Sequence, residues 1–340
     1  MEFSEYYIAY FDVLGSKSYF EGKDDAALDF LQKLRRMIDR AIRQTVSINS
    51  SPTLNVQAGM NVEYKLFSDN VALYLKASDS PIEIVRLLTF LESITSVQRD
   101  VFFEEKLLLR GGVVKGKLYS DETLIIGQAL IDAYKLETIG VYPRILIDDS
   151  IKRAVSALIN NLVPNEYLTK EGMLVWANSL VFGAVGDKKL FLNYLSVPEL
   201  EKVYPVLKNG EEGVLEHLKY DSPEEYERTQ KAIMADAKNQ IHEILIKHQG
   251  ILRECVQRYC GYDDVDKDDA NAVALKSNIM QKYKWLVVYH NYMCGLNKFE
   301  DCVVYVKYTY DPITLNDYME ILDVHEKSAE SVSQSLKKEI

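Results

Sequence analysis

Residues 6–11 are almost wholly aromatic and apolar, and the run ends in Asp12 just before a Leu14-Gly15 turn. An unbroken run of this kind, without polar alternation, predicts a β-strand buried on both faces of its sheet. Its terminal carboxylate is out of keeping with that burial. A second acid stands in a comparable place: Ser68, Asp69 and Asn70 form the polar tip of a predicted hairpin between residues 64–67 and 71–75. If the two strands are neighbours, both carboxylates reach one sheet edge. Hard cations such as Mg²⁺ or Mn²⁺ favour such oxygen donors and take their remaining ligands from a substrate's phosphates. The competing reading is turn chemistry alone, because an Asp before a Gly turn and a Ser-Asp-Asn tip serve any hairpin.

The segments that follow define the sheet's surroundings. Leu28, Leu31, Leu34, Ile38, Ala41 and Ile42 fall at helical spacing, with Lys33, Arg35, Arg36 and Arg40 between them. Residues 47–61 read as a loop. Ser80-Pro81 opens a second helix whose buried face is Ile84, Leu87, Leu88, Leu91, Ile94 and Val97. Residues 107–119 return to strand, followed by a turn at Ser120-Asp121, an apolar run at 124–126, a helix in 127–137 and a strand in 142–148. Residues 173–178 and 190–195 read as a hairpin-like pair. This order implies an α+β architecture with helices over one sheet, without the regular βαβ alternation of a dinucleotide-binding fold. Beyond residue 200 the pattern turns helical, at 211–218, 223–258 and 270–293, with an acidic break at 263–269. A strand at 303–310 and a frayed polar tail at 328–340 complete the reading. The expected division is a domain at 1–200 and a mainly helical extension at 201–340.

Among the 340 residues acids outnumber bases, and the net charge of −11 disfavours nucleic-acid phosphates. No basic leader precedes the first apolar run and no stretch reaches about 20 apolar residues, so a cytoplasmic location is expected. Cys255, Cys260, Cys294 and Cys302 lack paired zinc-type spacing and read as reduced, packed thiols. Asp264, Asp266 and Asp268 imitate the start of a calcium loop, but Asp269 stands at the required Gly and Leu275 at the closing Glu. Phosphate-loop, zinc-protease and serine-hydrolase motifs are missing. His290, inside an aromatic helix, reads as a packing residue.

Two glycine-bearing segments offer anion chemistry. Gly15-Ser16-Lys17 follows Asp12 with the start of a helix, where free N–H groups favour phosphate. Arg110-Gly111-Gly112 puts a guanidinium at a strand mouth, beside two residues that permit close approach of a ligand or second chain. The alternative is that Gly-Gly relieves a bulge and Arg110 pairs with Asp69 or Glu137.

On the residues Tyr10-Phe11-Asp12-Val13-Leu14-Gly15, Lys65-Leu66-Phe67-Ser68-Asp69-Asn70 and Leu109-Arg110-Gly111-Gly112-Val113 with Gly116, the first half resembles the catalytic domain of class III nucleotidyl cyclases. The resemblance implies two divalent ions, Mn²⁺ or Mg²⁺, held by Asp12, Asp69 and the Val13 carbonyl. It also implies a nucleoside triphosphate met by Gly15, Ser16, Lys17, Lys65, Arg110 and Leu124. Four positions depart from the purine-cyclase pattern. Ile131 replaces an Asn that orients ribose, Lys135 the Arg that supports the transition state, Leu124 the acid that reads adenine, and Ser16 the usual Phe. Lysine keeps the positive charge at 135 but not arginine's forked contact. Those departures, with the phrases FDVLG, FSDN, LRGGVVKG, AYKLE, YPRILID and KYKWLVVYHN, look like the bacterial pyrimidine cyclases of Pycsar anti-phage defence over nearly the whole chain. What this implies is cyclic UMP or cyclic CMP made from UTP or CTP. It further implies a homodimer with composite sites, in which Lys135 comes from the other subunit, and a separate effector that binds the product. A purine cyclase and a catalytically silent cyclase-fold nucleotide sensor are the alternatives.

Overall fold

The computed structural model describes residues 2–20, 24–49, 60–164, 169–183, 189–196, 223–260 and 270–304. The apolar run forms β1 (Ser4–Leu14), which lies inside the sheet between β3 (Asn70–Lys76) and β4 (Leu108–Ser120), antiparallel to both. With β2 (Val62–Phe67), β6 (Ile145–Ile147), β7 (Val181–Gly183) and β8 (Leu190–Leu192), the order is β2-β3-β1-β4-β6-β8-β7. The short β5 (Ile125–Ile126) pairs with the end of β4, and β4 runs parallel to β6.

Alternation along β1 divides the core. Tyr7, Ala9, Phe11 and Val13 join a large cluster with α2 (Asp24–Asn49) and α3 (Glu83–Glu105), while Ile8 joins a smaller one under α4 (Gln128–Ile139). Both faces are therefore covered, as the unbroken apolar run requires. The expected α+β sheet under helices, followed by long C-terminal helices, is what the chain forms.

The close approach of α4 explains the glycines of β4. A Cβ at Gly112 would lie 2.2 Å from Leu136 Cβ, and one at Gly116 would lie 3.3 Å from Ala129 Cβ. The register through Gly111 and Gly112 against Phe11 and Tyr10 is unbroken, so these residues relieve no bulge. The chain's own helix takes the space that the sequence reading offered to a ligand or a second chain.

Three segments differ from expectation. Residues 173–178 lie in α6 (Lys170–Leu180) rather than in a hairpin strand. Thr169 caps it by accepting from Gly172 N at 3.0 Å, and Met173, Trp176, Ala177 and Leu180 are buried at helical spacing. An unanticipated helix, α5 (Asp149–Asn160), starts where Asp148 Oδ1 accepts from Ser150 N at 2.7 Å. Residues 47–49 belong to the end of α2 instead of a loop. The readings at 211–218, 263–269, 305–310 and 328–340 lie outside the described residues.

The chain divides into two compact units. The first holds Met1–Gly140, Arg144–Phe182 and Lys189–Met234, and the second Val141–Pro143, Gly183–Lys188 and Ala235–Ile340. The second is built on α7 (Pro223–Cys260) from Ala235 onward, α8 (Ala270–Asn297) and a 3₁₀ turn, Glu300–Cys302. In it, buried His290 donates from Nε2 to the Cys302 carbonyl at 2.8 Å, so its Nδ1 accepts from His248 Nδ1 at 3.0 Å. Burial, chiefly, pushes His290 down to about 4, which fits a neutral packing role. No helix among the described residues is long and apolar enough to cross a membrane.

Candidate functional site

The end of β1 meets the tip of the β2–β3 hairpin. Asp12 stands in register opposite Asn70 on β3 and opposite Arg110 on β4. Ser68, with φ of 60°, turns the hairpin so that the Asp69 carbonyl accepts from Val13 N at 3.0 Å, which pins the tip to the strand end. Gly15, with φ of +90°, then folds the chain back and carries buried Ser16 beneath Asp69. Ser16 Oγ donates to Asp69 Oδ2 at 2.7 Å, and Asn70 Nδ2 donates to Oδ1 at 3.2 Å. Both oxygens of Asp69 are thus oriented by neighbours.

Asp12 is held by a fork. Arg110 Nε donates to Oδ1 at 3.3 Å and Nη2 to Oδ2 at 3.1 Å, while Nη2 also pairs with Glu137 of α4 and Nη1 donates to the Gly140 carbonyl at 3.4 Å. Glu137 is one of the two carboxylates the sequence offered as partners for Arg110. The other, Asp69, is bound elsewhere, and Asp12 takes its place.

Burial pushes the Asp12 carboxyl up to about 6; Arg110 opposes this, and the charges of Glu137 and Asp69 add to it. Asp12 and Glu137 thus share one guanidinium, and the Asp69 carboxylate adds its charge nearby. The surplus negative charge and the all-oxygen donor set fit a hard divalent cation held by Asp12 and Asp69. The Val13 carbonyl accepts from Ser16 N at 3.3 Å and has a second lone pair for such an ion.

The remaining candidates are spread more widely. Lys17 opens α1 (Lys17–Phe20), a single turn with too few aligned peptides to act as the anion-binding helix start that the sequence suggested. Lys65 Nζ donates to the carbonyls of Asp121 and Glu122, at 3.0 and 2.6 Å. Asp121 closes that turn by accepting from Thr123 N and Leu124 N at 2.9 and 2.8 Å. Lys65 and the exposed Leu124 consequently belong to one structural unit. Ile131 and Lys135 occupy the solvent side of α4, where Lys135 Nζ lies 3.0 Å from Asp132 Oδ1.

Asn70 was not singled out from the sequence as an orienting group, although its place beside Asp69 in the turn was the available signal. Glu137 was named from the sequence as a partner for Arg110, and it lies among the buried residues of α4.

No protein-family model and no curated protein matches the sequence. Several solved structures are similar at low identity. The monomeric guanylyl cyclase domain of the RhoGC fusion protein from the aquatic fungus Blastocladiella emersonii is 12% identical, over 56% of this chain and 96% of that one, with a TM-score of 0.38. The adenylyl cyclase CyaB from P. aeruginosa is 14% identical, over 48% and 84%, with a TM-score of 0.32. An adenylate/guanylate cyclase/hydrolase from Silicibacter pomeroyi is 20% identical, over 45% and 80%, with a TM-score of 0.30.

Proposed function

We propose that this chain is a nucleotidyl cyclase that converts UTP or CTP to the 3′,5′-cyclic monophosphate and pyrophosphate. The observation that carries the reading is the meeting of Asp12 and Asp69 where the end of β1 reaches the β2–β3 turn, with more carboxylate than the single Arg110 offsets. The catalytic part is assigned to residues 1–200, and residues 201–340 are assigned as an extension to it.

In the reaction the ribose 3′-oxygen attacks the α-phosphorus in line and pyrophosphate leaves. Asp12, Asp69 and the Val13 carbonyl would hold two divalent ions, Mn²⁺ or Mg²⁺, which when bound lower the 3′-hydroxyl pKa and neutralise the triphosphate. The chain's own contribution is placement. Arg110 fixes the Asp12 carboxylate, and Ser16 and Asn70 fix that of Asp69, so the donors are oriented by the chain itself. Gly15 shapes the turn that carries Ser16, and Lys17 follows it. Lys65 secures the turn bearing Leu124, whose apolar side chain cannot read the edge of a purine by hydrogen bonding.

Lys135 stabilises charge on the α-phosphoryl group from a second copy of the chain. The outer face of α4 supports this, because Ile131, Tyr134 and Ile139 are each about half exposed beside Lys135. Following the resemblance in sequence, the product is a second messenger read by a separate effector in anti-phage defence.

Incubating the metal-free 340-residue chain with each of the four nucleoside triphosphates and Mn²⁺, and measuring pyrophosphate and cyclic product, tests the proposal. Turnover of UTP or CTP ahead of the purines is expected. Preference for ATP or GTP would overturn the pyrimidine assignment, and no turnover of any of them would overturn catalysis.

A further inference from the structure

A second set of metal-type donors lies in the helical unit, separate in chemistry from the oxygen site. One member, His242, is 59 residues from the nearer of the other two. Among the described residues, His242 on α7 and Asp301 and Cys302 on the 3₁₀ turn bring an imidazole nitrogen, a carboxylate oxygen and a thiol sulfur within 4.8 Å of one another. His242 Nε2 lies 2.7 Å from Asp301 Oδ2, and Cys302 Sγ lies 3.9 Å from Asp301 Oδ1. Donors around a tetrahedral Zn²⁺ stand about 3.3–3.6 Å apart, given metal–ligand bonds of about 2.0–2.3 Å. Shifts on the order of 1 Å would close these three on one ion.

The turn that carries two of the donors is fixed by side chains of both helices. Gln249 Nε2 donates to the carbonyls of Asp301 and Val303 at 3.1 and 3.3 Å, and His290 Nε2 donates to that of Cys302 at 2.8 Å. Asn291 makes a reciprocal pair with Val304, donating to its carbonyl at 3.0 Å and accepting from its N–H at 2.8 Å. The Phe299 ring packs on the His242 imidazole with centroids 4.6 Å apart, and Cys294 Sγ lies 3.5 Å from His290 Nε2. Supports of this kind hold ligands in place before an ion arrives.

We infer that His242, Asp301 and Cys302 form a zinc-binding site that clamps α7 to the 299–304 turn, with its remaining position open to solvent. The donor set selects the metal. A thiolate and an imidazole suit a borderline-soft ion such as Zn²⁺ and not Mg²⁺, Mn²⁺ or Ca²⁺. His242 and Asp301 are partly exposed and give the ion a route in, whereas Cys302 is buried. On binding, the Cys302 thiol proton leaves to solvent and the sulfur takes the metal in its place.

Co²⁺ is the probe, because only a thiolate ligand gives it a strong near-ultraviolet charge-transfer band. Added to the metal-free 340-residue chain, Co²⁺ should produce that band at micromolar concentrations and Zn²⁺ should abolish it. Cys302→Ser should remove the band, His242→Gln and Asp301→Asn should each weaken Co²⁺ binding at least ~10-fold, and Cys294→Ser should leave the band in place. The inference is overturned if wild type shows no band, if Cys302→Ser keeps it, or if Cys294→Ser alone loses it. Since His242 and Asp301 lie at the surface, their variants keep the test decisive should Cys302→Ser fail to fold.

Discussion

Replacing Arg110 with Leu, in protein stripped of divalent ions, isolates the electrostatic core of the candidate site. The guanidinium bridges Asp12 and Glu137, whose side chains are 18% and 8% exposed while its own is 24% exposed. Removing one member of a buried pair leaves an uncompensated charge and costs about 3–5 kcal/mol. Here two carboxylates lose the same partner and then repel each other, but residual solvent on Arg110 and Asp12 screens part of this. A loss of about 3 kcal/mol is expected. Adding Glu137→Gln removes the repulsion and keeps a polar group on α4, so the double variant should recover about 1–1.5 kcal/mol.

The chain has two tryptophans, Trp176 in the first unit and Trp285 in the second. A Trp285→Phe background leaves Trp176, buried with Nε1 donating to Glu92 Oε2 at 3.0 Å, as the reporter of the unit that contains the site. Denaturant unfolding followed by its fluorescence avoids averaging over two units that need not unfold together. A second arm links stability to function. Mn²⁺ held by Asp12 and Asp69 would substitute for the missing positive charge, so it should narrow the gap between Arg110→Leu and its parent. The reasoning fails if Arg110→Leu lies within about 1 kcal/mol of the parent, if Glu137→Gln rescues nothing, or if Mn²⁺ stabilises the two proteins equally.

Further predictions address chemistry and packing. Asp69→Ala should fold normally and lose about a thousandfold in cyclic-nucleotide formation; a rate within about tenfold of wild type would remove Asp69 from the mechanism. Gly112→Ala sets a Cβ 2.2 Å from Leu136 Cβ, so α4 must shift, at about 1–3 kcal/mol in the same fluorescence assay. Lys65→Met removes the donor to the Asp121 and Glu122 carbonyls. Hydrogen exchange in residues 121–126 should then quicken by about tenfold, corresponding to about 1.4 kcal/mol, while exchange in β1 stays unchanged.

The legible parts of this chain were those where one residue pattern had one structural outcome. The aromatic-rich run at 6–11, bounded by the Leu14-Gly15 turn, favoured a strand covered on both faces, and β1 is that strand. Residues 173–178 were ambiguous because six apolar-rich residues suit a strand and a buried helix alike. What decided them lay outside the run, in the Thr169 cap and in Leu180 completing the helical spacing. The two aspartates were readable as acids at strand ends, but the hold of Arg110 on Asp12 depends on the β1–β4 register, which sequence spacing does not encode. The donors His242 and Asp301, 59 residues apart, meet only after α7 and the turn pack together. Reading cysteines by local spacing was bound to miss them.

The two proposed donor sets would sort cations by softness. The carboxylates and carbonyl at the end of β1 favour Mg²⁺ or Mn²⁺, whereas the thiol and imidazole of the helical unit favour Zn²⁺. Each set lies wholly within one compact unit. A chelator that empties both should therefore allow independent refilling: Mn²⁺ alone should restore turnover, and Zn²⁺ alone should raise the unfolding midpoint reported by Trp285 in a Trp176→Phe background. Zinc binding to the folded form by itself gives that shift through mass action, with the size set by the ratio of free Zn²⁺ to its dissociation constant. A strict need for both metals in turnover would refute their independence.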